Sequence, residues 1–164
     1  METALGSETR LLAEPIHTVR NPHPKWTMIV TADNQKESSD VAKHRNVVMH
    51  VNFTGEERLN YVLNNIENFS GYYRDREEAL AIRVVCHGPG LHLLRLDTSP
   101  VKARLLQIID RHDELSLVAC ANTMERMANA EGKRPEIIQQ ANLVPAGLPE
   151  IIELQNEGWI YIKP

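Results

Sequence analysis

Cysteine is scarce in this sequence, with two in 164 residues, Cys86 and Cys120, far apart in the chain. That leaves no CxxC pair, and neither HExxH nor HxxxH occurs, so the common zinc spacings are excluded. GxSxG is missing, which removes the nucleophile elbow of the α/β hydrolases. GxGxxG and the Walker pattern are missing too, so no standard phosphate-cradling loop is present. No apolar run approaches the roughly 20 residues that span a bilayer. Charge of one sign is not in excess: the formal net charge is −4, and the basic residues do not cluster with aromatics. Neither nucleic acid nor an anionic membrane is therefore an expected partner. The first residues, METALGSETRLLAEP, place acids ahead of their basic residue and lack a long apolar core of the kind a secretory signal needs. The expectation is a cytoplasmic protein whose thiols are reduced by default, so that any disulfide would be transient or catalytic.

What is present is an ordinary globular mixture, 42% apolar and 24% charged, sized for one compact domain with a tail. Residues 1–45 are polar and interrupted, as in NPHPKW and ADNQKESSDVAKHR. Two readings apply to this stretch: a mobile tail, or an arm in which Lys25 to Thr31 (KWTMIVT) adds an edge strand or reaches another subunit.

From Asn46 onward short apolar runs alternate with helical periodicity. NVVMHVNF is β-branched and reads as a buried strand. Thr54 and Glu57 form a capping-box pattern ahead of a helix whose stripe is Leu59, Val62, Leu63 and Ile66. LAIRVVC is a second buried strand, stopped by the turn residues HGPG. Ser99 and Pro100 predict a helix start before the stripe Val101, Leu105, Ile108 and Ile109. ELSLVAC is a third strand, and Asn122 to Glu125 is a cap pattern for a short helix ending at Gly132. ANLVPAG gives a fourth strand, Pro149 opens a helix running to Gly158, and WIYIK closes as a fifth strand. Strands and helices alternating in this way predict a three-layer α/β/α fold with a five-stranded, mostly parallel sheet. In such sheets ligands bind at the carboxyl ends of the strands.

Those ends carry His50 and Asn52, then Cys86 and His87, then Cys120 and Asn122. Cys120 sits two residues before the predicted cap Asn122, where unpaired N–H groups and the helix dipole favour an anion. A thiolate is such an anion, which makes Cys120 the candidate nucleophile. Buried free cysteine also behaves as a small hydrophobe, so placement alone leaves both readings open. Cys86 ends an apolar strand and reads first as packing. If the second and third strands are neighbours and both thiols face one way, a Cys86–Cys120 redox pair is the alternative, since adjacent strands lie about 4.8 Å apart. HGPG reads as a turn before it reads as an anion nest. His50 and His87 are candidate bases or orienting donors near a thiolate, though a histidine at a strand end is commonly just hydrogen-bonded.

The pieces VVMHVNF, VLNNIENF, VVCHGPGLHLL, VACANTM and LVPAGLPEIIELQNEGWIYIKP, in this order over residues 46–164, resemble the DsrE/DsrF-like family. The resemblance implies a flavodoxin-like or Rossmann-like domain that assembles into homo-oligomers, often trimers or hexamers. It further implies a sulfur relay: a cysteine after the third strand carries sulfane sulfur as a persulfide and passes it to a partner protein. Cys120 matches that position, and neither cofactor nor metal is implied. The segment after it, ANTMERM, departs from the small and basic residues typical of the sulfur-relay members. The competing expectation is a non-catalytic oligomeric module that holds a small ligand or partner, with a structural Cys120.

Overall fold

The computed structural model describes residues 44–164. The predicted edge strand Lys25 to Thr31 lies outside the described residues. Five strands form one sheet in which every pairing is parallel: β1 (Arg45–Val51), β2 (Leu80–Cys86), β3 (Leu115–Cys120), β4 (Ala141–Val144) and β5 (Ile160–Ile162). Their order is β4-β3-β2-β1-β5. Between them run α1 (Glu56–Arg74), a 3₁₀ segment (Gly88–Leu93) followed by α2 (Lys102–Ile109), α3 (Ala121–Glu131) and α4 (Gly147–Asn156).

The valine-rich strands are apolar on both faces because helices cover both. Alternation along each strand sorts the side chains. Val47, Met49, Ile82, Val84 and Leu117 point to one face and pack with Leu59 and Leu63 of α1, Leu105 and Ile108 of α2, and Met124 of α3. Val48, Val85 and Val118 point to the other face and meet Ile151 and Leu154 of α4. The result is the predicted three-layer α/β/α arrangement, with α4 packed alone against the second cluster of strand valines.

The predicted stripe of α1 is buried in full. Three predicted caps differ. Gly55, at φ 106°, is the N-cap of α1 in place of Thr54, because the chain leaving β1 must turn through a left-handed conformation that glycine tolerates best. Ser99 does not cap α2; its hydroxyl donates to the Leu93 carbonyl at 3.0 Å, and the helix starts three residues later. The third, at α3, bears on the site below. HGPG continues into the 3₁₀ segment with His87 as its N-cap. Helix α4 begins at Gly147, ahead of Pro149, which still falls in the first turn, where proline costs no helical hydrogen bond.

Gly90 fixes how the 3₁₀ segment crosses the end of β1. A Cβ there would fall 2.0 Å from the Val51 carbonyl oxygen, which is backbone and cannot swing aside. Gly90→Ala is expected to cost about 3 kcal/mol and lower the thermal midpoint by roughly 10 °C. Calorimetry checks this, and an unchanged midpoint would refute the close approach.

Candidate functional site

Strand β3 hands over to helix α3 with no intervening loop: Cys120 ends the strand, is the N-cap of α3, and retains extended backbone at φ −81° and ψ 115°. Asn122, the predicted cap, is instead within the first turn. It is exposed, and its N–H donates to the Pro145 carbonyl at 3.2 Å. The cap shifts because the β3 side-chain alternation turns Cys120 toward the α4 face, where its side chain sits over the first-turn N–H groups of α3.

A second helix also starts there. At Gly147, the first residue of α4, a Cβ would lie 3.4 Å from the Cys120 Cβ and 3.2 Å from the His87 Cβ. The absence of a side chain lets the α4 terminus come down onto the cysteine. Cys120 is only 4% exposed, and burial by itself opposes ionisation. The Thr123 hydroxyl and the N–H groups of Gly147, Thr123 and Asn122 outweigh it, so the thiol pKa lies below that of an ordinary cysteine. The resting thiol makes no regular cap hydrogen bond; these donors act on the anion, which accepts far better than a neutral thiol. Thr123 is itself held, accepting from the Gly88 N–H at 3.0 Å.

Cys86 is treated oppositely. Strands β2 and β3 are neighbours, but Cys86 pairs in register with Ala119. Cys120 is therefore one position out of phase with it, on the other face of the sheet, while Cys86 packs among the residues of the α1–α2 side. Fully buried and without donors, its thiol pKa is pushed up by desolvation. The condition for a Cys86–Cys120 disulfide, both thiols facing one way, is not met, and Cys86 does not join the site.

His50 and His87 do join it. Continuing the β2–β3 register places His87 beside Cys120, on the same face. The Nε2 atoms of His50 and His87 are 2.5 Å apart with the rings stacked. His50 Nδ1 is 2.7 Å from the Tyr161 hydroxyl of β5. Burial pushes the His50 pKa down to about 4, helped by His87 and Lys163. The His87 pKa is lowered by burial, then by Arg126 and Lys163. Both rings are neutral near pH 7, so neither gives the thiolate a positive neighbour. Outside this pair a groove of about 420 Å³ runs between the 3₁₀ segment and α3, lined by His87, Pro89, Thr123, Arg126 and Met127 among others. Among the described residues no group of three or more His, Cys, Asp or Glu side chains is placed to hold a metal ion. No described helix is long and apolar enough to cross a membrane.

A family model, the DsrE/DsrF-like family, matches residues 46–164. The chain belongs to the DsrE/DsrF-like family. Among solved structures, this family member is similar to MTH1491 of Methanobacterium thermoautotrophicum, a protein of unknown function. The two are 26% identical, with a TM-score of 0.62 over 73% of this chain and 99% of that one. No curated protein matches.

Three residues of this DsrE/DsrF-like site escape a reading of the sequence. Thr123 was detectable, since a Thr three residues after an N-cap is well placed to bond back to it. Gly147 gave a weaker signal, as a glycine just before a helix. Tyr161 gave none, because strand order decides that β5 lies beside β1.

The alkylation rate of native Cys120 by a small haloacetamide should reach half its maximum at a pH below that of a free cysteine, near 8.5. Thiolate reacts, so a lowered pKa moves the curve to lower pH. Gly147→Ala crowds the His87 Cβ and so loosens the seat of α4 over Cys120, which should move the midpoint up by about one unit, equivalent to about 1.4 kcal/mol of lost anion stabilisation. Mass spectrometry of alkylated peptides reads this directly, with Cys86 expected to react only on unfolding. A midpoint unmoved in Gly147→Ala would remove α4 from the account.

Proposed function

We propose that this protein is a sulfur-relay carrier that holds sulfane sulfur as a persulfide on Cys120 and passes it to the thiol of a partner protein in the cytoplasm. The observation that supports the reading most is the convergence of two helix N-termini on one thiol. Such a site favours an anionic sulfur in each state of a transfer cycle: the attacking thiolate, and the thiolate that leaves when the sulfur moves on. The groove lined by His87 and Thr123, the neighbours of Cys120, is where a partner thiol would approach. Membership of the DsrE/DsrF-like family supports the same class of chemistry. No organic cofactor or metal is required, because thiolate exchange at sulfur proceeds with the thiols alone.

On this reading, treating native protein with polysulfide adds the mass of one or more sulfur atoms, and a reductant removes them. Cys120→Ser should abolish the adduct, Cys86→Ser should leave it, and circular dichroism should show both variants folded. An adduct that survives Cys120→Ser would sink the proposal.

Assembly into a homo-oligomer, a trimer or hexamer by family resemblance, belongs to the same reading. Leu148 and Ile152, one turn apart on α4, are each more than half exposed, as surfaces covered by another copy would be. Light scattering of the purified protein should give a mass several times 18.6 kDa, and a monomer at micromolar concentration would contradict it.

A further inference from the structure

Tyr161, His50 and His87 form one continuous hydrogen-bonded chain on the α4 face, and stabilisation of the Cys120 anion makes no use of it. His50 is 6% exposed, and its two ring nitrogens are both engaged, Nδ1 by the Tyr161 hydroxyl and Nε2 by His87. Two neutral imidazoles meeting nitrogen to nitrogen must share one hydrogen: one ring donates and the other accepts. The chain therefore has two polarities. In the first, His87 Nε2–H donates to His50, His50 Nδ1–H donates to the Tyr161 oxygen, and Tyr161 O–H faces solvent. In the second every donor is reversed, and Tyr161 O–H donates to His50 Nδ1. One polarity converts to the other when a proton enters at one end and another leaves at the far end. His87 Nε2 is occupied, which leaves Nδ1 as its free ring nitrogen, and His87 lines the groove together with Thr123, whose hydroxyl serves the Cys120 anion. At the opposite end Tyr161 is 39% exposed.

We infer that Tyr161, His50 and His87 are a proton relay that deprotonates the acceptor thiol as it takes sulfur from Cys120. The inference rests on the persulfide reading and gives that reading its base. The acceptor R–SH gives its proton to His87 Nδ1, and its sulfur electron pair attacks the outer sulfur of Cys120–S–S–H. The bond between the two sulfurs breaks, and its electron pair stays on Cys120 as a thiolate held by the two helix N-termini. The acceptor becomes R–S–S–H, so the outer sulfur changes hands with no external oxidant. The His87 Nε2 proton moves to His50, the His50 Nδ1 proton moves to Tyr161, and the Tyr161 proton goes to water. Arg126 from α3, Lys163 after β5 and His92 from the 3₁₀ segment are the basic groups that flank this path, with Glu131 in the groove, Tyr161 and Cys120 as its acidic neighbours. Arg126 and Lys163 disfavour a resting imidazolium, so the proton does not stay on either ring. His87 is the catalytic base, while His50 and Tyr161 act through it as positioning residues.

The test is single-turnover transfer from polysulfide-loaded full-length protein to 2-mercaptoethanol, followed from pH 6 to pH 10. His87→Gln should slow transfer about 100-fold at pH 7. The deficit should close above the pKa of the acceptor thiol, because a free thiolate needs no base. Tyr161→Phe, at the exposed end, should slow transfer about 10-fold at pH 7 with the same closure, and it stands in for His87→Gln should that variant not fold. Equal rates in variant and wild type at every pH would overturn the relay. A deficit that persists unchanged to high pH would overturn it also, since it would mark a structural role. Failure of the wild-type protein to load sulfur on Cys120 would overturn the persulfide reading and the relay together.

Discussion

Two helices begin at one sulfur atom, and most of the chemistry of this protein follows from that. Cys86 and Cys120 end adjacent strands at almost the same height, and both are buried. Burial alone makes a thiol inert by raising the cost of its anion. At Cys86 nothing opposes that cost, and the thiol is pushed up. At Cys120 the amide groups of Gly147, Thr123 and Asn122 and the Thr123 hydroxyl reverse the sign. The difference between a thiol pushed up and one held down is a single step of strand alternation, which turns one side chain toward the α1–α2 layer and the other toward the start of α4.

The parallel register extends that effect across the sheet. It sets His87 beside Cys120, His50 one strand further, and Tyr161 on β5 beyond that. One helix, α4, packs over this side, and its first residue is a glycine near enough that a Cβ would crowd the His87 Cβ and touch the Cys120 Cβ. The polar side chains therefore occupy the end of a face whose middle is closed by Val48, Val85, Val118 and Ile151. Behind Glu131, which lines the groove, Arg95 is buried and clamped by Asp97 at 2.8 Å and Glu131 at 2.6 Å. The Glu131 contact joins the loop after the 3₁₀ segment to the end of α3, and the Asp97 contact braces the guanidinium from within that loop. Removing either acid would leave a buried guanidinium short of a partner, which is costly.

The layers of the fold were legible because its strands are short β-branched runs and its helices carry strong apolar stripes. Leu59, Val62, Leu63 and Ile66 sit where their spacing put them. Caps were less legible: Thr54, Ser99 and Asn122 all have capping chemistry, yet Gly55, Val101 and Cys120 take the positions, because the direction in which the chain leaves the preceding element decides which residue is last out of the helix. Cys120, His50 and His87 could be located at strand ends from sequence, but their mutual contacts could not. Those depend on strand order and on which face each residue takes, and neither is written in any local pattern. Tyr161 is the clearest case, an apolar-run residue whose hydroxyl meets a histidine 111 positions earlier.

The seclusion of Cys86 bears on how long a cargo would last. A persulfide within reach of another thiol of its own chain destroys itself, closing a disulfide and releasing hydrogen sulfide. Here the second thiol is walled off by the thickness of the sheet, so that shortcut is closed. A sulfur atom on Cys120 would persist until an outside thiol arrived, and its lifetime would be governed by encounter with other molecules. If the persulfide reading holds, a chain built in this way would store its sulfur as well as deliver it.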